Sequence, residues 1–147
     1  MLNKRSIVAW VMALLVAFLA SCSSPTPPPT YSDAQLQKIE QYTARIVALR
    51  DRMSELESLI QQEEWINVDT FIHGPLGDLR SKTNYLTQSL LLAKDKTPVL
   101  DAAKQVFEDL EDIDVAAAEG DKKQALSEYK KAVADFDTFL GLVPKDS

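Results

Sequence analysis

The chain has 147 residues, 46% hydrophobic and 26% charged, which is the balance of one globular domain. Its formal net charge is −6, and an acidic chain lacks the Lys and Arg contacts to phosphate on which nucleic-acid affinity rests. A single cysteine excludes an internal disulfide.

Residues 1–21 read as an export leader. Lys4 and Arg5 form a basic start, Ile7 to Leu19 is an uncharged apolar run, and Leu19-Ala20-Ser21 precedes Cys22. The run is short of the roughly 20 residues that a membrane-spanning helix needs. Leu-Ala-Ser-Cys resembles the lipobox of bacterial lipoproteins, in which the peptidase cuts before the cysteine and the thiol carries diacylglycerol. That likeness implies an acyl anchor on Cys22, in which each buried methylene contributes about 0.8 kcal/mol. An ordinary cleaved leader followed by a chance cysteine is the alternative. Cleavage removes two basic residues and no acids, so the mature chain is more acidic still. Residues 22–31 then form a linker with prolines at 25, 27, 28 and 29. Its eight residues 23–30, at polyproline II spacing of about 3.1 Å per residue, make a spacer of roughly 25 Å at most.

Residues 32–147 carry helical periodicity. Ser32 and Gln35 form a capping box, with Tyr31 and Leu36 placed for a hydrophobic staple. Ile39, Tyr42, Ile46, Leu49, Met53, Leu56 and Ile60 step by threes and fours, predicting one helix from Asp33 to about Glu63, about 45 Å long. A second stripe runs through Trp65, Val68, Ile72, Leu76, Leu79, Thr83, Leu86 and Leu90. It crosses Gly74-Pro75, so the reading is one helix with a kink there. The third helix is expected to start at Thr97 as N-cap with Pro98 in the first turn, and to end at Gly120. Its inner face is Leu100, Ala103, Phe107, Leu110 and Ile113 or Asp114. Asp121 caps a fourth helix with Gln124 in the capping-box place, and Leu126, Tyr129, Val133, Phe136, Leu140 and Val143 mark its inner face before Pro144. Four amphipathic helices with short connections predict an all-α, up-down-up-down four-helix bundle. The last hairpin also looks like half of a tetratricopeptide repeat, but no second copy follows at the expected period.

No catalytic constellation is apparent: there is one histidine, no Gly-x-Ser-x-Gly elbow and no phosphate-cradling glycine loop. His73 and Asp69, four residues apart on one helical face, are weak candidates for a zinc site, with adventitious zinc the bland version. Glu108, Asp109, Glu111, Asp112 and Asp114 read as a solvated acidic face. Arg45, Arg50 and Arg52 are either solvated or available to a partner. Trp65 and Phe71 suit a core. Gly74 and Gly77 would let a neighbouring helix or partner approach closely, and Pro75 would fix a bend. On the residues alone, a periplasmic metal-binding lipoprotein and a generic helical adaptor stay open.

The stretch Trp65 to Arg80, WINVDTFIHGPLGDLR, resembles the signature of the cyanobacterial PsbQ family, also called CyanoQ. The likeness extends over the linker, the long first helix and the later helices. It implies a non-catalytic lumenal subunit of photosystem II, lipid-anchored to the thylakoid membrane through Cys22. The implied partners are the chlorophyll-binding inner antenna, the manganese-stabilising protein and other extrinsic subunits. The implied role is support of the oxygen-evolving complex and its calcium and chloride requirement, with no cofactor of its own beyond the N-terminal lipid. Within the signature, Trp65, Phe71, His73, Gly74, Pro75, Leu76, Gly77 and Arg80 are the candidate partner contacts.

Overall fold

The computed structural model describes residues 29–145. The leader at 1–21, Cys22 and most of the linker lie outside the described residues. Within them all regular structure is helical: α1 (Asp33–Asp51), α2 (Met53–Gln61), α3 (Trp65–His73), α4 (Leu79–Tyr85), a π-helical turn (Leu86–Leu90), α5 (Ala93–Glu119) and α6 (Lys122–Leu142).

These segments form four limbs. The first is α1 with α2, interrupted only at Arg52. Ser32 caps it through a complete capping box with Gln35, which satisfies two of the orphaned amides at the helix start. It ends through Glu63, whose φ of 58° is left-handed, a conformation that helix ends usually assign to glycine. The second limb runs from α3 to the π turn, where the Leu91 amide reaches back five residues to the Leu86 carbonyl at 3.2 Å. The third and fourth limbs are α5 and α6, joined through Gly120 at φ 70°. Each limb packs on its chain neighbour, and α6 returns to α1 and α2. Cross-limb contacts pair rising with falling numbers, which marks antiparallel neighbours. Arg52 lies over Phe71 and Tyr42 against Tyr85; His73 meets Asp114 and Arg80 meets Glu111; Arg50 meets Asp137 and Glu63 meets Lys122.

The core follows the expected stripes on the first two limbs: Ile39, Ile46, Met53, Leu56 and Ile60 face Val68, Ile72, Leu76, Leu79 and Leu86. On α6 the expected Tyr129, Phe136 and Val143 are buried, but the rest of the stripe is shifted by one residue. Ala125, Ala132 and Phe139 join Phe136 innermost, while Leu126, Val133 and Leu140 only flank the core. Buried alanines on both α5 (Ala103, Ala116, Ala117) and α6 bring the two backbones together, and methyl groups do that where leucines would hold them apart. Val99, and not Leu100, begins the inner face of α5.

Two boundaries correct the sequence reading. The first is that α5 starts at Ala93, so Pro98 lies inside the helix and not in its first turn. The early start is held from outside. The Leu92 amide donates to the Tyr31 hydroxyl at 2.8 Å, and that hydroxyl donates to Asp95 at 2.8 Å. Burial pushes the Tyr31 phenol up to about 12, so it stays a donor. Tyr31→Phe leaves the half-buried Leu92 amide without its partner and should cost about 1–2 kcal/mol. A urea melt reads it as a lower midpoint at unchanged slope.

The second correction is at Gly74-Pro75, where the chain stops being a helix instead of kinking. The Gly74 amide still bonds back to Thr70, at 2.9 Å. Pro75 has no donor, and its ring would crowd the carbonyl four residues back, that of Phe71. The Leu76 amide takes that carbonyl instead, at 3.1 Å and five residues' reach. Gly77 and Leu79 then bond back only three residues, at 3.0 and 2.9 Å, before α4 resumes. Widening followed by tightening lets the apolar stripe pass through, which is why Leu76 and Leu79 remain buried.

Candidate functional site

The surface around the end of α3 gathers the rare side chains. His73 is the last residue of α3, and its side chain is 63% exposed. Its Nε2 lies 3.6 Å from Asp69 Oδ1, one turn back on the same helix. From the facing α5 comes Asp114, with Oδ2 at 3.2 Å from the same nitrogen. One donor atom from each of the three lies within 4.8 Å of the others. Asp69 is the neighbour expected beside His73; Asp114 is not, because its place on the sequence suits an acidic face or the inner edge of its own helix. Its partner is 41 residues away, and sequence spacing carries no signal of such a pairing.

Beside this cluster, Arg80 stacks over Phe107 at 4.4 Å from the ring centre and bonds Glu111 at 3.0 Å. A shallow hollow of about 180 Å³ lies between His73, Gly77, Arg80, Glu111 and Asp114. On the other side of Asp69 and Asp114 a broader hollow of about 530 Å³ is lined by Trp65, Ile66, Ala117, Ala118 and Gly120. Ile66 is 83% exposed and Val115, next to Asp114, 53% exposed. Neither was singled out from sequence, because each falls off the helical stripe.

The signature residues divide by depth. Phe71 and Leu76 are core, at 6% and 2% exposure, with Arg52 over the Phe71 ring. Trp65 and Pro75 are half-buried, and His73, Gly74, Gly77 and Arg80 are exposed. The role expected of the two glycines changes. A Cβ on Gly74 would sit 2.7 Å from the Thr70 carbonyl oxygen, and one on Gly77 2.3 Å from that of His73. The close approach is made by the segment's own backbone, not by a neighbouring helix.

Two of the first-limb arginines are engaged within the domain. Arg50 forms a bidentate pair with Asp137 at 2.7 and 2.9 Å, which holds the Asp137 carboxyl below its usual range. Arg52 pairs with Glu55, while Arg45 only lies over Tyr42. Asp109, expected in solvent, is buried between α5 and α6. Burial, and then the carboxyl of Asp135 beside it, push Asp109 up to about 6, against a weaker opposing pull from Lys131. No donor reaches its Oδ2, so the two acids can hydrogen-bond only by sharing a proton.

The geometry defines an all-helical protein whose distinctive chemistry is a surface of paired charges and exposed apolar side chains around a break in its second limb. The model of the PsbQ family, described as oxygen evolving enhancer protein 3, matches residues 2–144. The chain is also 40% identical over 150 residues, covering all of both chains, to the protein named CyanoQ from Synechocystis sp.. The chain belongs to the PsbQ family. No helix among the described residues is long and apolar enough to cross a membrane.

Proposed function

We propose that this protein is a non-catalytic extrinsic subunit of photosystem II on the lumenal side of the thylakoid membrane. In this reading its limbs form an up-down-up-down four-helix bundle. Lipid on Cys22 tethers it, and the body docks beside the inner antenna and the manganese-stabilising protein. Docking stabilises the oxygen-evolving complex and lowers its calcium and chloride requirement. Full-length membership of the family carries the reading. Tethering supplies effective concentration, so a modest docking face suffices. The exposed Ile66, which shares a hollow with Asp69 and Asp114, and the exposed Val115 suit that face, because a few apolar anchors in a polar rim dominate many interfaces.

The test is purification of photosystem II from cells carrying a tagged form of this chain. Co-purification is expected, and Ile66→Glu, at a site too exposed to disturb folding, should weaken it about tenfold. Depletion of the protein should slow oxygen evolution when calcium or chloride is limiting. Absence of both effects overturns the proposal.

A further inference from the structure

We infer that the hollow between Lys38, Arg45 and Tyr85 is a docking site for an acidic segment of a partner protein. Three of the four arginines among the described residues are held by carboxylates of this chain: Arg50 by Asp137, Arg52 by Glu55 and Arg80 by Glu111. Arg45 is the fourth. It is exposed, it has no carboxylate partner among the described residues, and its guanidinium lies 5.7 Å from the centre of the Tyr42 ring. Tyr42 in turn packs on Tyr85 from α4, with ring centres 4.7 Å apart. Tyr85 is 50% exposed. Lys38, about two turns before Arg45 on α1, and Leu90, which the π turn carries to the same place, complete a hollow of about 160 Å³ with Gln41. No acid lines it, whereas the hollows beside His73 and beside Trp65 both carry carboxylates. On a chain of net charge −6, that is a local reversal of sign.

The chemistry of the lining selects the occupant. Stacking engages the face of a guanidinium and leaves its edge N–H groups open to a bidentate carboxylate. The two tyrosine rings shield such a bond from water on one side, and Tyr and Arg are the side chains that most often dominate protein interfaces. Lys38 lies about 10 Å further along the helix, at about 1.5 Å per residue, so the segment carries a second acid beyond the one at Arg45. The acidic remainder of the surface repels such a partner, which fixes where it lands. An anionic membrane is the poorer fit. Lipid-binding clusters gather about four to eight Lys and Arg side chains, and this hollow has only Lys38 and Arg45. The inference rests on the photosystem reading for where the partner is sought.

The test is carbodiimide coupling, which joins a lysine amine to a carboxylate in direct contact, on photosystem II purified with the tagged chain. Lys38 is expected to be amide-linked to an Asp or Glu of another polypeptide. Arg45→Ala should lower both that yield and the retention of the chain about tenfold. Arg45→Lys should recover only part of the loss, because a point charge lacks the guanidinium fork. Lys130→Gln, which removes an exposed cation on α6, should change neither. Arg45→Ala gives up no ion pair and should stay folded, which a thermal melt checks. A Lys38 that stays unlinked, or couples only within this chain, overturns the inference, while co-purification leaves the photosystem reading standing. A wild-type chain that does not co-purify overturns that reading instead, and the same coupling on whole membranes of the same cells then decides this one. An Arg45→Ala chain that is coupled and retained like wild type also overturns it. So does weaker binding of Arg45→Ala to phosphatidylglycerol vesicles with Lys38 coupled to no protein, which makes the anion a lipid headgroup.

Discussion

Gly77→Ala is expected to destabilise the domain by about 2 kcal/mol, in the range of a steric clash that forces a backbone shift, and to lower Tm by about 8–10 °C. The cause is local. The new methyl would lie 2.3 Å from the His73 carbonyl oxygen and 3.1 Å from its carbon. That neighbour is backbone, so no rotamer change relieves the contact, and the turn must open. Opening it moves His73 away from Asp114 and drags Leu76 and Leu79 from the core. Gly74→Ala meets the Thr70 carbonyl at 2.7 Å and should be milder. Gly141→Ala provides the opposite sign. Nothing lies within 4 Å of that position, and alanine in a helix is favoured over glycine by about 0.5–1 kcal/mol. Pro75→Ala should leave the domain folded, because the carbonyl that proline would crowd is already taken by Leu76. Thermal melts of the four variants test the order. If Gly77→Ala melts with wild type, the glycine is not required by the turn.

The helices were legible in the sequence to the extent that their cause is local. The Ser32 and Asp121 caps are set by residues three apart, and both form. The stripe of the first limb is made of large side chains and lies where the spacing puts it. Legibility fails where the cause is distant or small. Proline favours the first turn, but a tyrosine 61 residues away supplies the Leu92 amide with an acceptor and moves the start of α5 four residues ahead of Thr97. Alanine is too weakly hydrophobic to outvote leucine in a periodicity count, yet it decides how near α5 and α6 come. The same limit governs the site. Asp69 and His73 share a turn and were paired from spacing. Asp109 and Asp114 share one acidic run on the sequence, with Asp114 the one that periodicity also allows on the inner face, and only the packing of α3 and α6 against α5 assigns their places. One becomes a surface partner of histidine, the other a buried acid.

That buried acid gives the domain a pH dependence of unusual sign. An aspartate whose folded pKa is raised from 3.8 to about 6 binds its proton more tightly folded than unfolded. Its ionised form therefore costs stability above pH 6. The cost shrinks as pH falls through about 6 and is gone below 3.8, so this group makes the fold more stable on mild acidification. Asp137 acts oppositely. The Arg50 pair lowers its pKa, so its contribution is present at neutral pH and lost on acidification below the ordinary carboxylate range. The two windows separate in a difference measurement. Asp109→Asn preserves shape, removes the charge and gives Asp135 an amide donor. It should stabilise the domain by about 1–2 kcal/mol at pH 7, below the 1.36 kcal/mol per unit that the full shift implies, because Lys131 and nearby solvent screen the charge. The advantage should vanish by about pH 4, where wild-type Asp109 carries its own proton. Asp135→Asn should give a smaller difference, because burial, the largest cause of the raised Asp109 pKa, stays in place. Denaturant midpoints from pH 4 to 8 for the three proteins check this. A constant difference across that range would mean that Asp109 affects packing but does not titrate between those limits, and a loss of stability at pH 7 would mean that the buried charge has a partner worth more than its burial.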